Sequence, residues 1–416
     1  MTEGFRIHPA RVPESWPKAP SWMSYSTLMH IERCPRAWAL SNAAYPDIWN
    51  GKGYPVSVGP TAVEGTVVHD AVDFLVKSFR AGGCDSVADA KAIGVLRNLG
   101  GLSAVVEERI DHSLQRLGNN PRMRMRINGL GERLRMQLPS LREQVQAFLS
   151  RLELGPSASR ASVSSADRSM VLGGGAHSEV DLQSEVLGFR GVADVIAIGP
   201  QTCEIRDFKS GSRGPHHVEQ VQFYAVLWAH DARRNPDGRV ADKLTISYRD
   251  RDVDVPALMA DELAQLYDQI KQRTEDARHA IAVHPPVAKP SREACGNCGV
   301  RHLCEEFWTA IPLTEFGQHH SHSGDVQVRL LEQAGPTTWR CEIEIGTTLA
   351  RVPEAVIRVG GQLPRLGAST RLRVLSAWIT RPSDEDEVGA EEPVFISVGD
   401  ASEVFVLPSI MRAGSE

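Results

Sequence analysis

Gly191-Val192-Ala193-Asp194, followed thirteen residues later by Asp207-Phe208-Lys209-Ser210-Gly211, is the stretch on which the fold turns. Val186 to Asp194 is an apolar run closed by a carboxylate, and Thr202 to Lys209 alternates around Ile205 and Phe208. Both read as short buried strands, joined as a hairpin through the turn Gly199-Pro200-Gln201. Such a hairpin brings Asp194 and Asp207 to the same end of a sheet. Two close carboxylates repel each other and desolvate poorly without a cation between them, and oxygen ligands favour Mg²⁺ or Mn²⁺. Lys209, two residues beyond Asp207, shares its face of the strand, where an ammonium can orient or activate a water.

Working outward, a chain of 416 residues exceeds what one core usually serves, so two or three domains are expected. No apolar run reaches the roughly 18 residues of a membrane span, and the N-terminus lacks the charged-then-apolar pattern of a signal peptide. The expectation is a cytoplasmic protein without membrane contact. A net charge of −6 argues against coating nucleic acid over the whole surface. Any such contact has to come from a patch. One lies between Arg109 and Arg151, where nine arginines face Asp111, Glu132 and Glu143, most densely at Arg122, Arg124, Arg126, Arg133 and Arg135. Arginine pairs bidentately with phosphate and stacks on bases, whereas the bland reading is a solvated helix surface.

Residues 1–22 are proline-rich and read as an extended segment. Tyr25 to Leu40 has a helical face that Pro35 should break near Cys34. A second helix is expected from Gly65-Thr66 to about Phe79. Between Asp89 and Leu152 two or three helices are expected, interrupted near Gly118-Asn119-Asn120-Pro121 and Gly129-Leu130-Gly131. They form a helical insertion at about 85–155, and Gly155 to Gly175 reads as a linker. After Lys209 come a helix over Val218 to His230, short strands at 242–249 and 251–255, and a helix from Pro256 to Ile281. The order of strands and helices is that of an α/β core, a mixed central sheet flanked by helices, occupying 23–315. From about 320 to 416, short strands with Gly and Pro turns suggest a small β-barrel of the OB-like or SH3-like kind, interrupted by the acidic run Asp384-Glu385-Asp386-Glu387.

Three of the seven cysteines stand as Cys295-x2-Cys298-x5-Cys304, an incomplete tetrahedral set. Cys34, in Cys34-Pro35-Arg36, is the best candidate for the fourth ligand, with His302 an alternative. The spacing admits Zn²⁺ as well as an iron–sulfur cluster. Cys84, Cys203 and Cys341 have no companions at ligand spacing and read as small buried hydrophobes. His69 reads either as a polar residue on an amphipathic helix or as a third ligand beside the two aspartates. Glu179 stands before a strand and either adds a carboxylate or hydrates the strand's edge. Gln220 and Tyr224, four apart, share one helix face.

Taken in order, Cys34-Pro35-Arg36, Gly65-Thr66-Val67-Val68-His69, Gly191-Val192-Ala193-Asp194, Asp207-Phe208-Lys209, Gln220-x3-Tyr224 and Cys295-x2-Cys298-x5-Cys304 resemble the RecB-like branch of the PD-(D/E)XK nucleases. Within it they look most like the iron–sulfur members, such as the AddB nuclease domain and the CRISPR-adaptation exonucleases. The resemblance spans roughly residues 21–310 and leaves the C-terminal strands outside. It implies a Mg²⁺- or Mn²⁺-dependent exonuclease acting on single-stranded DNA or DNA ends, in repair, CRISPR adaptation or anti-phage defence. It implies that His69, Asp194, Asp207 and the Phe208 carbonyl bind the metal, that Lys209 assists the nucleophile, and that Gln220 and Tyr224 organise the site. It further implies a structural [4Fe-4S] cluster on Cys34, Cys295, Cys298 and Cys304, with Zn²⁺ the lesser alternative, and an Arg-rich channel for the strand. No Gly-x4-Gly-Lys-Ser/Thr loop is present, so unwinding would fall to a helicase or another defence-system partner, docked through the C-terminal strands. The competing class is a catalytically silent, nuclease-derived DNA-binding scaffold; the complete His69, Asp194, Asp207 and Lys209 set argues against it.

Overall fold

In the computed structural model the described residues are 7–11, 13–51, 53–124, 126–155, 170–310, 321–346, 352–359, 366–380, 393–399 and 402–408. In chain order, β1 (Ile7–Pro9) precedes α1 (Tyr25–Arg33), α2 (Pro35–Asn42), α3 (Pro46–Trp49), α4 (Pro60–Ala81), α5 (Ala90–Asn98), α6 (Leu102–Gly118), α7 (Ile127–Met136) and α8 (Leu138–Leu149). Strands β2 (Gly175–Ser184), β3 (Phe189–Ile198) and β4 (Cys203–Lys209) lead into α9 (Pro215–His230), β5 (Lys243–Tyr248), β6 (Asp252–Val255) and α10 (Ala260–Ala282). Then come α11 (Arg292–Gly296), a 3-10 turn (Arg301–Leu303), α12 (Glu305–Ala310) and strands β7 (Ser321–Gly335), β8 (Thr338–Gly346), β9 (Val352–Val359), β10 (Arg371–Thr380), β11 (Val394–Val398) and β12 (Glu403–Val406). Two compact units result, Lys18–Glu32 with Ser57–Ala282, and Met1–Pro17 with Arg33–Val56 and Val283–Glu416. The sequence-based division near 320 differs from this one in where it puts 33–56 and 283–315.

In the first of these units, the sheet runs in the order β2-β3-β4-β5-β6, antiparallel except for the parallel β4–β5 pair. It is the expected mixed sheet flanked by helices. Phe208 joins the core of α4, α6 and α8 through Val67, Val68 and Phe148. Alternation turns Asp207 and Lys209 to the other side of the strand, where Tyr224 of α9 lies. Asp194 does not end its strand as expected: β3 continues through Val195 and Ile196, both buried and both paired with β4. The apolar period of β3 therefore outlasts the carboxylate.

Helix boundaries moved for identifiable reasons. Pro35 does break the first helical pattern, and Cys34 caps α2, its Sγ accepting from the Ala37 amide at 3.4 Å. α4 starts at Pro60 rather than Gly65, because proline at a first helical position has no amide to leave unpaired. α7 runs straight through Gly129-Leu130-Gly131, where a break was expected. Gly131 is buried, with a Leu114 methyl 3.1 Å from where a Cβ would sit, so packing outweighs the ~1 kcal/mol propensity cost of glycine. The expected linker lies largely outside the described residues, as does the acidic run at 384–387.

The second unit carries a seven-stranded sheet in which β7, β8, β9, β11 and β10 pair in turn, and β10 pairs back onto β7. All these pairings are antiparallel except β9–β11. β12 lies antiparallel on β10, and β1 parallel on β12, so Ile7–Pro9 of the N-terminal segment form a strand of the sheet. The side chains of Val326, Val328, Leu372, Val374 and Ile396 fill the core of this unit.

Gly191 lets β3 lie close under α9: a Cβ there would stand 2.9 Å from Tyr224 Cε1 and 3.2 Å from Leu227 Cδ1. Gly191→Ala is expected to cost about 1–3 kcal/mol of unfolding free energy by overpacking β3 against α9. Urea titration checks it; an unchanged midpoint would show that α9 yields without strain.

Candidate active site and cysteine centre

Three strands and one helix supply the polar cluster. In the β2–β3 register Glu179 falls between the pairs Ser178↔Val195 and Val180↔Ala193, directly across from Asp194. Continuing the β3–β4 register by one residue sets Asp194 opposite Asp207. A row of three carboxylates thus crosses the sheet. From α4, His69 Nδ1 reaches to 3.5 Å from Asp194 Oδ1, and single ligand atoms of His69, Glu179 and Asp194 all lie within 4.8 Å of one another. Helix α4 sits this close because Gly65 has no Cβ; one would meet Ser210 Oγ at 2.5 Å.

The electrostatics follow from burial. Asp207 is 1% exposed, and Lys209 Nζ stands 2.7 Å from its Oδ2. Burial, then the Asp194 charge, raise the Asp207 carboxyl above the usual range, which Lys209 only partly offsets. Asp194 goes the other way: burial pushes it up, but His69, Lys209 and the Phe208 amide, donating to Oδ2 at 2.5 Å, hold it below the ordinary carboxylate value. His69 is pulled down by burial and raised more strongly by Asp194. Glu179 is pushed up to about 7 by burial and by the charges of Asp194 and Asp73. Sequence reasoning left Glu179 undecided ahead of a strand, whereas it sits within β2 at a left-handed φ of 48°. The signal was there in Val180 and Leu182, whose alternation extends back through Glu179.

Gln220 Nε2 donates to the Tyr224 hydroxyl at 2.7 Å, so the expected pair is formed. Tyr224 is buried, and burial followed by the charges of Asp207 and Asp194 pushes its phenol up, so it stays protonated near neutral pH. The donors fit a hard divalent cation: carboxylates in excess of nearby cations, Asp207 fully buried among them, plus one imidazole. Part of the arginine surplus is answered by acids outside the stretch, Asp70 with Arg116, Glu64 with Arg133 and Asp252 with Arg151. Arg122 is 5% exposed, Arg126 Nη1 donates to Ser57 at 3.3 Å, Arg133 pairs with Glu64 at 3.6 Å and Arg135 with Asp111 at 2.6 Å. Arg124 is exposed.

In the second unit Cys34, Cys295, Cys298 and Cys304 line one cavity together with Ala37, Leu40 and Phe307. Burial raises the Cys295 and Cys298 thiols and pushes Cys304 up to about 12, so thiolates there need a cationic partner. The alternative ligand His302 is engaged elsewhere: its Nε2 lies 2.8 Å from the Tyr54 hydroxyl and its ring stacks on Phe405 at 3.6 Å. Cys84, Cys203 and Cys341 are buried, in line with their expected role as small hydrophobes.

Among family profiles, that described as the PD-(D/E)XK nuclease superfamily matches residues 22–305. No curated protein matches the chain. Of the solved structures, one titled "Crystal structure of SSO0001" matches at 19% identity over 24% of this chain and 49% of that chain, with a TM-score of 0.17. The chain thus spans about half the length of that protein, and a likeness this loose carries no argument.

Glu179 and Asp207 bind protons more tightly folded than unfolded, so their contribution to stability is full below the unfolded value near about 4 and is lost as pH rises through about 7. In chelator, the melting temperature is therefore expected to fall between roughly pH 5 and roughly pH 8, and Mn²⁺ is expected to remove most of that slope. Thermal melts across this range with and without Mn²⁺ check it. A flat profile in chelator would contradict the carboxylate row.

Proposed function

The chain belongs to the PD-(D/E)XK nuclease superfamily, and on that premise we propose that it is a Mg²⁺- or Mn²⁺-dependent deoxyribonuclease, an exonuclease acting on single-stranded DNA or DNA ends. Membership implies a metal-dependent nuclease; the finer reading rests above all on Asp207, buried with Lys209 at 2.7 Å and opposite Asp194. His69, Glu179, Asp194 and Asp207 would hold the cation, with the Phe208 carbonyl as a backbone ligand. A divalent cation bound there supplies Lewis acidity and neutralises charge on the scissile phosphate. Lys209 is fixed by Asp207 where its ammonium can hold an attacking water or a phosphate oxygen. Gln220 orients the Tyr224 hydroxyl, which stays protonated and can donate to the DNA backbone. Phe208, anchored on Phe148 at a ring distance of 4.8 Å, keeps its amide on Asp194 and so fixes that carboxylate.

Cys34, Cys295, Cys298 and Cys304 are read as the ligands of a structural [4Fe-4S] cluster, supported by their convergence on one apolar-walled cavity. Tying Cys34 to Cys295 closes a very long loop, the case in which a cross-link removes most unfolded-state entropy. The circuit of pairings β7-β8-β9-β11-β10-β7 is read as an OB-like barrel, and Trp378 and Phe395, exposed on its neighbouring strands β10 and β11, favour a docking role for a helicase or other partner.

Lys209→Ala is expected to slow cleavage by about 10²–10⁴-fold, and the near-isosteric Asp207→Asn by at least as much, with unchanged far-ultraviolet circular dichroism. The assay is Mn²⁺-dependent degradation of 5′-labelled and 3′-labelled single-stranded and duplex DNA. Cleavage by Asp207→Asn at the wild-type rate would sink the site assignment.

A further inference from the structure

The loop between Cys298 and Cys304 contributes two of the four thiols, and side chains hold its carbonyls, one of them from strand β10 directly and one from Arg301, which is itself paired to strand β7. Arg301, inside the loop, donates from Nη1 to the Cys298 carbonyl at 3.1 Å. The same guanidinium forms a two-pronged pair with Asp325 of β7, at 2.5 Å and 3.1 Å. Asp325 Oδ1 also accepts from the Ser376 amide of β10 at 2.8 Å. Ser376 offers that amide from a left-handed φ of 54°, at the register shift between Val374 and Ala377 within the β10–β7 ladder. Such a conformation persists only where the surroundings over-determine it.

A second grip comes from Arg373 of β10, 3% exposed. Its Nη1 donates to the His302 carbonyl at 2.6 Å, its Nη2 to both Glu305 oxygens at 2.8 Å, and its Nε to Gln327 of β7 at 2.9 Å, while the guanidinium lies over Trp308 at 5.0 Å. Trp308 Nε1 in turn donates to the Arg301 carbonyl at 3.1 Å, and Phe405 of β12 stacks on His302. The carbonyls of Cys298, Arg301 and His302 are therefore all held by side chains. A bare hydrophobic contact would bury this loop equally well. Buried, multiply bonded guanidinium groups do something more specific: they fix carbonyl directions, hence the path of the loop, and place positive charge beside thiolates.

We propose that strands β7, β10 and β12 are a built part of the cysteine centre, with Arg301–Asp325 and Arg373–Glu305 as its positioning pairs, so that retention of the bound metal group depends on the C-terminal sheet. The inference rests on the reading of the four cysteines as a metal centre. Outer partners of this kind typically change metal retention by about 10–100-fold when removed.

The test uses the full chain, purified without oxygen, as wild type, Asp325→Asn, Arg373→Gln and, as control, Arg340→Gln, which removes an exposed pair with Glu354 on the same sheet. Iron content and the decay of visible absorbance under a chelator are followed beside circular dichroism. Wild type and Arg340→Gln should hold iron alike, while Asp325→Asn and Arg373→Gln shed it about 10–100-fold faster with strand content intact. Release from both at the wild-type rate overturns the proposal. Should Arg373→Gln fail to fold, Asp325→Asn decides, with Asp325→Glu expected to restore part of the retention. A wild-type protein holding zinc instead of iron would overturn the cluster reading alone, and zinc release then judges the positioning pairs; one holding neither metal overturns both.

Discussion

The first unit is organised around three carboxylates placed side by side on a mostly apolar sheet. Two unit charges about 4 Å apart repel by roughly 4 kcal/mol at the effective dielectric of a protein surface, and more when buried. A sheet tolerates such a row only if cations or protons are brought to it. Lys209 comes from two residues along the same strand and His69 from α4; without a divalent cation, protons on Glu179 and Asp207 make up part of the balance. The two close approaches that glycine permits serve the same end. Gly65 lets α4 bring His69 down beside the Ser210 loop, and Gly191 lets the Tyr224 ring lie against β3.

The second unit answers a different constraint, that of holding four thiols around one cavity when they come from segments some 260 residues apart. Helix capping does part of it: Cys34 is the N-cap of α2, and its sulfur accepts backbone amides from Ala37 and Lys289. Ion pairs anchored on buried or half-buried guanidinium groups do the rest. Such pairs are weak evidence of stability, since desolvation offsets most of the attraction, but they are strict about geometry. That makes them suited to fixing a ligand loop rather than to strengthening a core.

What could be read from the sequence follows from how local each cause is. The Asp207-Phe208-Lys209 strand, the break at Pro35 and the Gln220–Tyr224 pair depend on periods of two and four and on one proline, all visible in a short window. Asp194 reads as a strand end because it closes the apolar run from Val186, whereas the apolar residues beyond it carry the strand on to Ile198. For the arginines of 109–151 the local acids alone are visible in a short window, because Glu64 and Asp70, which pair with Arg133 and Arg116, belong to a helix dozens of residues upstream. Arg373 and Asp325 gave no signal at all; nothing in a β-strand's alternation marks a charged residue whose partner is a carbonyl in a cysteine loop.

Glu179 carries the argument one step further than spacing can. A non-glycine residue at φ 48° costs on the order of 1–3 kcal/mol, and a strand of ordinary purpose would shed that cost by substitution to glycine or asparagine. Here the antiparallel register is intact on both sides of it, at Ser178↔Val195 and Val180↔Ala193, so the distortion does not repair a pairing error. What it does accomplish is to aim a carboxylate at Asp194 and His69, where its proton affinity rises to about 7. Strain that brings like charges together is opposed by electrostatics in the metal-free protein, and under the proposed function it finds its reason in a cation held by the row.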